Sequence, residues 1–235
     1  MVNVKICIDP GHGGKDSGAT NGSAYEKNIN LAVALKLKTL LLGRGLEVLL
    51  TRETDVFNTV NEKARIANAY KADIFVSIHC NSAASVLAHG TETLVYSLTG
   101  DNLRLGETIQ DKLVKSLKRA NRGVKQRKDL AVLNSTNMAA ALVELAFISN
   151  AEEKALLIDN TFQQKAAQAI YEGILDYIGL GEIETVSKIK INLNGVIKEV
   201  ETINKDGYNY IKLRDLADDK ITVGYDSIPI VKVTG

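Results

Sequence analysis

From residue 4 to residue 178 the chain alternates short apolar runs with longer runs whose apolar residues recur at helical spacing. That alternation constrains the fold more than any other feature. Val4-Lys5-Ile6-Cys7-Ile8-Asp9 reads as a strand, closed by Pro10 and a loop containing Gly11, Gly13, Gly14 and Gly18. Residues 28–42 place Ile29, Leu31, Ala32, Leu35, Leu37, Leu40 and Leu41 at helical intervals and run into Gly43 and Gly45, so they read as a helix. The order then repeats: strand 46–51, helix 60–70, buried strand 74–78, strand 90–97, helix 103–118, strand 140–145, and one or two closing helices over 151–178. Strands alternating with helices predict an α/β fold, a mostly parallel twisted sheet flanked by helices. In such sheets functional groups gather beyond the C-terminal ends of the strands.

After Gly179-Leu180-Gly181 the pattern changes to short alternating runs such as Lys188-Ile189-Lys190-Ile191-Asn192-Leu193, with Asn194-Gly195 as a hairpin turn signal. A larger α/β domain over 1–180 and a small C-terminal β-rich module over 181–235 are therefore expected. The total of 235 residues suits one α/β core plus an appendage. Residues 182–235 hold 8 Lys/Arg against 9 Asp/Glu, a net charge of −1, so the module is not a basic anchor.

Over the whole chain 29 Lys+Arg face 28 Asp+Glu, and a net charge of +1 gives no field that would draw the protein to nucleic acid. No apolar run reaches the ~18 residues of a membrane-spanning helix, so no transmembrane segment is expected. Met1-Val2-Asn3-Val4-Lys5 lacks the cationic start and apolar stretch of a signal peptide, which predicts a chain made in the cytoplasm. Cys7 and Cys80 both lie in apolar runs and read as reduced core thiols.

The chain has three histidines. His12, in Pro10-Gly11-His12-Gly13-Gly14, and His79, in Ser77-Ile78-His79-Cys80-Asn81, each follow an expected strand. If both strands share one sheet, the imidazoles can converge on a metal over its edge. The competing reading is that each histidine is satisfied locally, His12 by its glycine loop and His79 as the cap of a buried strand. The glycines fit neither G-x-x-x-x-G-K-[ST] nor a strand-linked G-x-G-x-x-G, so a nucleotide site is not expected. Glu26, just before the expected helix, can serve the positive helix N-terminus or a ligand role. Glu144, at the end of Ala139-Ala140-Ala141-Leu142-Val143, is harder to explain structurally. A carboxylate at the mouth of a buried strand pays desolvation unless it meets a cation, a polarised water or a proton. His89 reads as an exposed loop residue. Lys118, Arg119, Arg122, Lys125, Arg127 and Lys128 read as a solvated loop face.

Taken in order, these segments resemble the zinc-dependent N-acetylmuramoyl-L-alanine amidases, a family of bacterial autolysins, spore-lysis amidases and phage endolysins. The resemblance covers roughly residues 3–178. It rests on Ile8-Asp9-Pro10-Gly11-His12-Gly13-Gly14, Glu26-Lys27-Asn28, Leu50-Thr51-Arg52, Ser77-Ile78-His79-Cys80-Asn81, Gly90-Thr91-Glu92 and Val143-Glu144-Leu145-Ala146-Phe147-Ile148-Ser149-Asn150. It implies Zn²⁺ held by His12, Glu26 and His79, with Glu144 as the catalytic acid/base. It also implies cleavage of the amide between N-acetylmuramic acid and L-alanine in peptidoglycan, by an enzyme acting on the wall after lysis or holin-type release. The chain departs from the family's pattern at Ala139, where a proline often stands, and at Ala146, where a glycine often stands. Some members carry a long helical insertion after the second histidine; here only residues 82–89 separate Asn81 from Gly90, which implies an open site. The tail bears a faint likeness, at Ile211-Lys212-Leu213-Arg214-Asp215-Leu216-Ala217 and Val223-Gly224-Tyr225-Asp226, to β modules of clostridial wall enzymes. Wall binding or dimerisation is its expected role. Two other readings compete with the amidase: a zinc peptidase cutting within the stem peptide, and a non-catalytic wall-binding protein.

Overall fold

In a computed structural model, residues 4–180 are described, together with the strand segments 187–193, 196–205, 208–211, 221–226 and 228–233. The chain divides into two compact units, Met1–Gly181 and Glu182–Gly235. The hairpin signal at Asn194-Gly195 and the motif over 212–217 lie outside the described residues.

The first unit is built on β1 (Lys5–Pro10), β4 (Glu47–Leu50), β5 (Ile74–Asn81), β8 (Ala139–Phe147), β6 (Thr91–Val95) and β7 (Asn121–Gln126), which form a six-stranded sheet in the order β4-β1-β5-β8-β6-β7. The pairs from β4 to β8 are parallel, β8 and β6 are antiparallel, and β6 and β7 are again parallel. The sheet is thus mostly parallel, and the C-terminal ends of β1, β5 and β8 share an edge with the N-terminal end of β6. A two-residue hairpin, β2 (Thr20–Asn21) with β3 (Ala24–Tyr25), stands in the loop before α1 (Glu26–Gly43).

Period-two alternation sends successive side chains to opposite faces of the sheet. On one face Ile6, Ile8, Ile74, Val76, Ile78, Ala141, Val143 and Leu145 join α1, α3 (Gly100–Leu117) and α6 (Asn160–Tyr177) in one apolar cluster. The α3–α6 approach is close enough that a Cβ on Gly173 would stand 2.6 Å from the Ile109 Cα. On the other face Cys7, Phe75, Leu94, Ala140 and Leu142 pack with residues of α2 (Val60–Tyr70) and the single turn α4 (Ala131–Asn134). α2 starts where the sequence predicts because Thr59 and Glu62 form a capping box. Asn150 and Asp159 cap α5 (Ala151–Leu157) and α6 through their side chains.

Of the boundaries that differ from the sequence reading, three bear on the site. α1 begins at Glu26, which therefore lies in the first helical turn. β5 continues to Asn81, so His79 lies within it, and β8 continues to Phe147, so Glu144, near the end of the expected strand 140–145, is followed by three more strand residues; the two are paired in register with each other. A polar residue ends an apolar run without ending the strand, because pairing to the neighbours continues. β7 and α4 were not anticipated. β7 is an edge strand with exposed, polar residues, and α4 is too short to show a period. Cys7 and Cys80 are free and buried. Burial and the Asp9 charge push the Cys7 thiol up to about 12. Among the described residues no helix is long and apolar enough to cross a membrane.

In the second unit β9 (Ser187–Leu193), β10 (Val196–Lys205) and β11 (Tyr208–Ile211) form an antiparallel sheet in the order β11-β10-β9, and β12 (Ile221–Asp226) pairs with β13 (Ile228–Val233).

Candidate metal centre

The face of the sheet that packs on α2 and α4 turns polar as it approaches the shared edge. Asp9 and Ser77 pair across β1 and β5, and one step further His79, Glu144 and Glu92 line up across β5, β8 and β6. His12 arrives from the loop after β1, and Glu26 from the first turn of α1.

The loop is pinned from below. Asp9 is fully buried and accepts from Thr51 Oγ1 at 2.6 Å, Ser77 Oγ at 2.7 Å and Lys63 Nζ at 2.9 Å. Burial alone would raise its carboxyl, but Lys63 and the two hydroxyls outweigh it and hold it below the ordinary value. Lys63 also donates to Pro10 O at 3.1 Å. Arg52 donates to Pro10 O at 3.0 Å, Gly11 O at 3.0 Å and Lys27 O at 2.8 Å, tying the loop to the start of α1. Two glycines are required by contact: a Cβ on Gly11 would collide with the His79 ring, and one on Gly18, at φ +64°, would stand 2.6 Å from both His12 Cδ2 and Glu26 Oε2.

His12 adopts a left-handed φ of 60°, uncommon outside glycine, and its Nδ1 meets Asp16 Oδ2 at 2.8 Å. Its Nε2 therefore faces Glu26 Oε1 at 3.2 Å. His79 Nδ1 reaches the same Glu26 Oε1 at 2.9 Å. The other Glu26 oxygen accepts from Ala19 N at 2.8 Å, and Cys80 N donates to Oε1 at 3.1 Å. Burial opposes the Glu26 charge, yet hydrogen bonds and attraction from His12 and His79 hold its carboxyl far below the usual range. Burial likewise opposes charge on His12, and the Glu26 and Asp16 carboxylates overcome it, raising the imidazole. The rings of His12 and His79 meet edge to face, centroids 4.9 Å apart, and one donor atom each from His12, Glu26 and His79 lies within 4.8 Å of the others. Two imidazole nitrogens and one carboxylate oxygen form a donor set suited to zinc, with a coordination position left for water or substrate.

One strand over, Glu144 Oε2 is the buried side-chain polar atom that, among the described residues, has no hydrogen-bond partner. Burial, then the Glu26 and Glu92 charges, push the Glu144 carboxyl well above the ordinary value, while Arg127 pulls it back. Such an orphan calls for a partner from outside the chain. Glu92 is its cross-strand neighbour but is differently housed: Arg122 Nε and Lys125 Nζ each donate to Oε2 at 2.6 Å, and Asn81 Nδ2 donates to Oε1 at 3.0 Å. Despite burial, those two cations hold Glu92 below the usual range. The cationic segment read as a solvated loop face is therefore corrected in part, since Arg122 and Lys125 lie on β7 and close on Glu92.

The structure brings His12, Glu26 and His79 together, sets Glu144 in the strand beside His79, and leaves His89 exposed with its Nδ1 near Leu87 O. Sequence reasoning missed Asp16, Lys63 and Glu92. The usable signal for Asp16 was its position four residues after His12, within reach of the same loop.

The family model described as N-acetylmuramoyl-L-alanine amidase matches residues 6–176. The chain belongs to that family. It is an amidase by class, and its α/β fold is the family's. Its match to the endolysin of Bacillus phage SPP1 is 39% identical over 183 residues, 74% of this chain and 66% of the endolysin. With the uncharacterized protein YqiI of Bacillus subtilis strain 168 it shares 43% identity over 174 residues, 73% of this chain and 84% of YqiI. The solved catalytic domain of CwlV, an N-acetylmuramoyl-L-alanine amidase from Bacillus (Paenibacillus) polymyxa var. colistinus, is 37% identical and superposes with a TM-score of 0.72 over 75% of this chain and 99% of that domain. These alignments cover about three quarters of the chain.

Proposed function

We propose that this amidase uses zinc held by His12, Glu26 and His79 to hydrolyse the amide between N-acetylmuramic acid and L-alanine of peptidoglycan, with Glu144 as general acid/base. The observation that carries the reading is a buried, unpartnered carboxylate oxygen in the strand beside two imidazoles and a carboxylate that converge. When bound, zinc supplies Lewis acidity where water and the scissile carbonyl meet. Glu144 takes the proton of the attacking water; the new C–O bond forms, the C–N bond breaks, and the same proton goes to the departing L-alanine nitrogen. The raised proton affinity of Glu144 suits both halves of that transfer. Asp16 holds His12 with Nε2 turned inward, while Arg52 and the Asp9–Lys63 pair hold the loop that carries it.

Mass spectrometry of muropeptides after digestion, with and without a chelator, tests bond and metal together. New amino termini on L-alanine that vanish with chelator are expected. A new amine elsewhere in the stem would make the enzyme a peptidase, and undiminished activity in chelator would remove zinc from the mechanism.

For the second unit we propose wall targeting. A chain ended after Leu180 is expected to keep its zinc and lose wall binding. A change of mass in solution instead would assign the unit to dimerisation. Similarity to a phage endolysin supports action on the wall after release from the cell.

A further inference from the structure

Away from the metal centre, the C-terminal end of α3 and the start of α6 enclose a cavity of about 290 Å³, lined by no residue of that centre. Leu117, Leu156 and Phe162 give it apolar walls, and Lys118, Arg119 and Lys165 give it cations. Its one acid, Asp159, is spent on capping α6, where it accepts from Phe162 N at 2.9 Å. Three cations against one carboxylate leave the recess with an excess of two positive charges.

Where cations gather elsewhere on this unit, a carboxylate gathers them: Arg122 and Lys125 close on Glu92, and Lys63 on Asp9. The cations of this cavity have no such anchor. Lys118 and Lys165 are exposed and form no ion pair among the described residues. Arg119 is half-buried and gives Nε to Leu117 O at 3.3 Å, which holds the guanidinium against the end of α3. Both of its terminal nitrogens are left without an acceptor among the described residues. Thr161 adds a backbone N–H from the first turn of α6, where no intrahelical acceptor exists. A planar carboxylate cannot engage donors spread around a recess in this way. A tetrahedral phosphate offers oxygens in several directions, and the apolar walls suit carbon on either side of it.

Placement ties the cavity to the reacting end of the sheet. Ala120 O, next to Arg119, accepts from Thr91 N at 3.0 Å, and Thr91 precedes Glu92, the cross-strand neighbour of Glu144. Buried Glu153 of α5 accepts from Gly90 N at 2.9 Å and Phe147 N at 2.7 Å, so the helix that leads into α6 is fastened to the same end. The cavity stands in the helical layer on the other face of the sheet from His79 and Glu144.

We propose that this cavity binds one phosphate of a phosphodiester-linked polyol chain, and so holds the enzyme on phosphate-bearing wall polymer beside the amide that it cuts. The binding stands on the cavity alone, and its use on the wall rests on the substrate proposed above.

The test is a titration of the zinc-loaded, 15N-labelled full chain with sn-glycerol 3-phosphate and with a short poly(glycerol phosphate). Both are expected to shift the amides of Lys118, Arg119 and Thr161, the polymer at lower concentration, with affinity falling as salt is raised. Shifts confined to His12 and His79 would mean that phosphate is drawn to the metal alone, and would overturn the proposal. Lys118→Gln combined with Lys165→Gln should weaken the polymer about tenfold or more, the scale of two lysines against an anionic surface. Arg119→Lys should weaken it by a few-fold, because an ammonium lacks the guanidinium fork. These side chains lie outside the catalytic centre, so turnover of a soluble muramyl peptide should not change. Phosphate-bearing walls should be cut more slowly by the double variant than by the parent, and walls stripped of phosphate equally by both. Equal shifts from poly-L-glutamate would reduce the cavity to an unselective cationic patch, and capture by phosphatidylglycerol vesicles without binding of the polymer would make its occupant a membrane. Either result would overturn the phosphodiester assignment. Should the enzyme free no L-alanine amine, the substrate reading fails, while the titration still decides the cavity.

Discussion

The two faces of the central sheet are made by the same strands and have opposite chemistry. Toward α1, α3 and α6, strands β1, β5 and β8 present only apolar side chains, closed off from water. Toward α2 and α4, alternate residues of those strands begin as core, at Cys7, Phe75 and Ala140, and end as Asp9, Ser77, His79 and Glu144. One face holds the strands in place, and the other uses that rigidity to hold groups that water would otherwise solvate. A lone buried carboxylate oxygen is tolerable only because the opposite face supplies stability independently of it.

The widest separation of the two faces comes from His79→Ala against Leu105→Ala. Removing His79 takes one of three converging donors and should abolish both metal binding and activity, read by metal analysis and turnover. Leu105 is fully buried on the dry side, and its truncation should cost about 2–5 kcal/mol of stability while leaving metal stoichiometry at one per chain. His89→Ala, outside the cluster, should leave turnover within a few-fold. Equal damage from the two histidine changes would break the assignment of ligands.

Glu144→Gln should keep the metal and lower turnover by about 10²–10⁴, the usual worth of a positioned acid/base. The sign of its stability effect follows from the raised carboxyl. A folded-state value above the unfolded one means ionisation of Glu144 works against the fold once pH exceeds the unfolded value, and a permanently neutral Gln avoids that cost. Metal-free Glu144→Gln should therefore melt at or above the temperature of the metal-free parent near pH 7. A variant that has lost metal would make Glu144 a ligand.

Much of this face was legible in the sequence, and each miss has a physical cause. Helical spacing located α2 over 60–70 and the body of α1, and apolar runs located five of the six strands of the central sheet. His12, Glu26, His79 and Glu144 stood out because each interrupts or borders such a run. Yet His79 looked as if it lay beyond its strand, and Glu144 as if it stood at the end of one. A run of apolar residues reports the part of a strand buried on both faces, whereas these strands continue with one face polar. Asp9–Lys63 and Glu92–Arg122 are separated by dozens of residues, and only β1 against α2, or β6 against β7, brings them together. No local pattern encodes that. β7 reads as charged loop because an edge strand needs no apolar alternation.

Asp16→Asn probes a smaller effect. The Asp16 carboxylate fixes His12 with Nδ1 outward and Nε2 toward Glu26. Partners of this kind are worth about 10–100-fold in metal affinity, and chelator competition should find that loss without a change of stoichiometry. Acid should weaken metal binding in the parent too. His12 is raised above 6.5, so its proton competes with the metal as pH falls through that raised value. Affinity unaffected in the Asn variant would reduce Asp16 to a loop tether.

The smallest effect expected is that of Thr51→Val, which removes one hydroxyl from buried Asp9 and leaves Lys63 and Ser77 in place. Asp9 is held below 3.8 in the fold, so its interactions contribute stability that is present above that unfolded value and lost as pH falls through the lower folded one. Taking away Thr51 Oγ1 moves the folded value back toward 3.8. Urea unfolding at pH 7 should then show a loss of about 1–3 kcal/mol, the range for a hydrogen bond to a charged group and for the acceptor left short of a partner. The loss should shrink below about pH 4, as Asp9 takes up a proton in both proteins. Ile109→Val on the dry face gives the contrast: Ile109 is fully buried among apolar neighbours, and its cost of about 0.5–1.5 kcal/mol should not change with pH. A Thr51→Val loss equally flat with pH would mean that this hydroxyl serves packing alone, and that the charge on Asp9 is held by Lys63 and Ser77 without it.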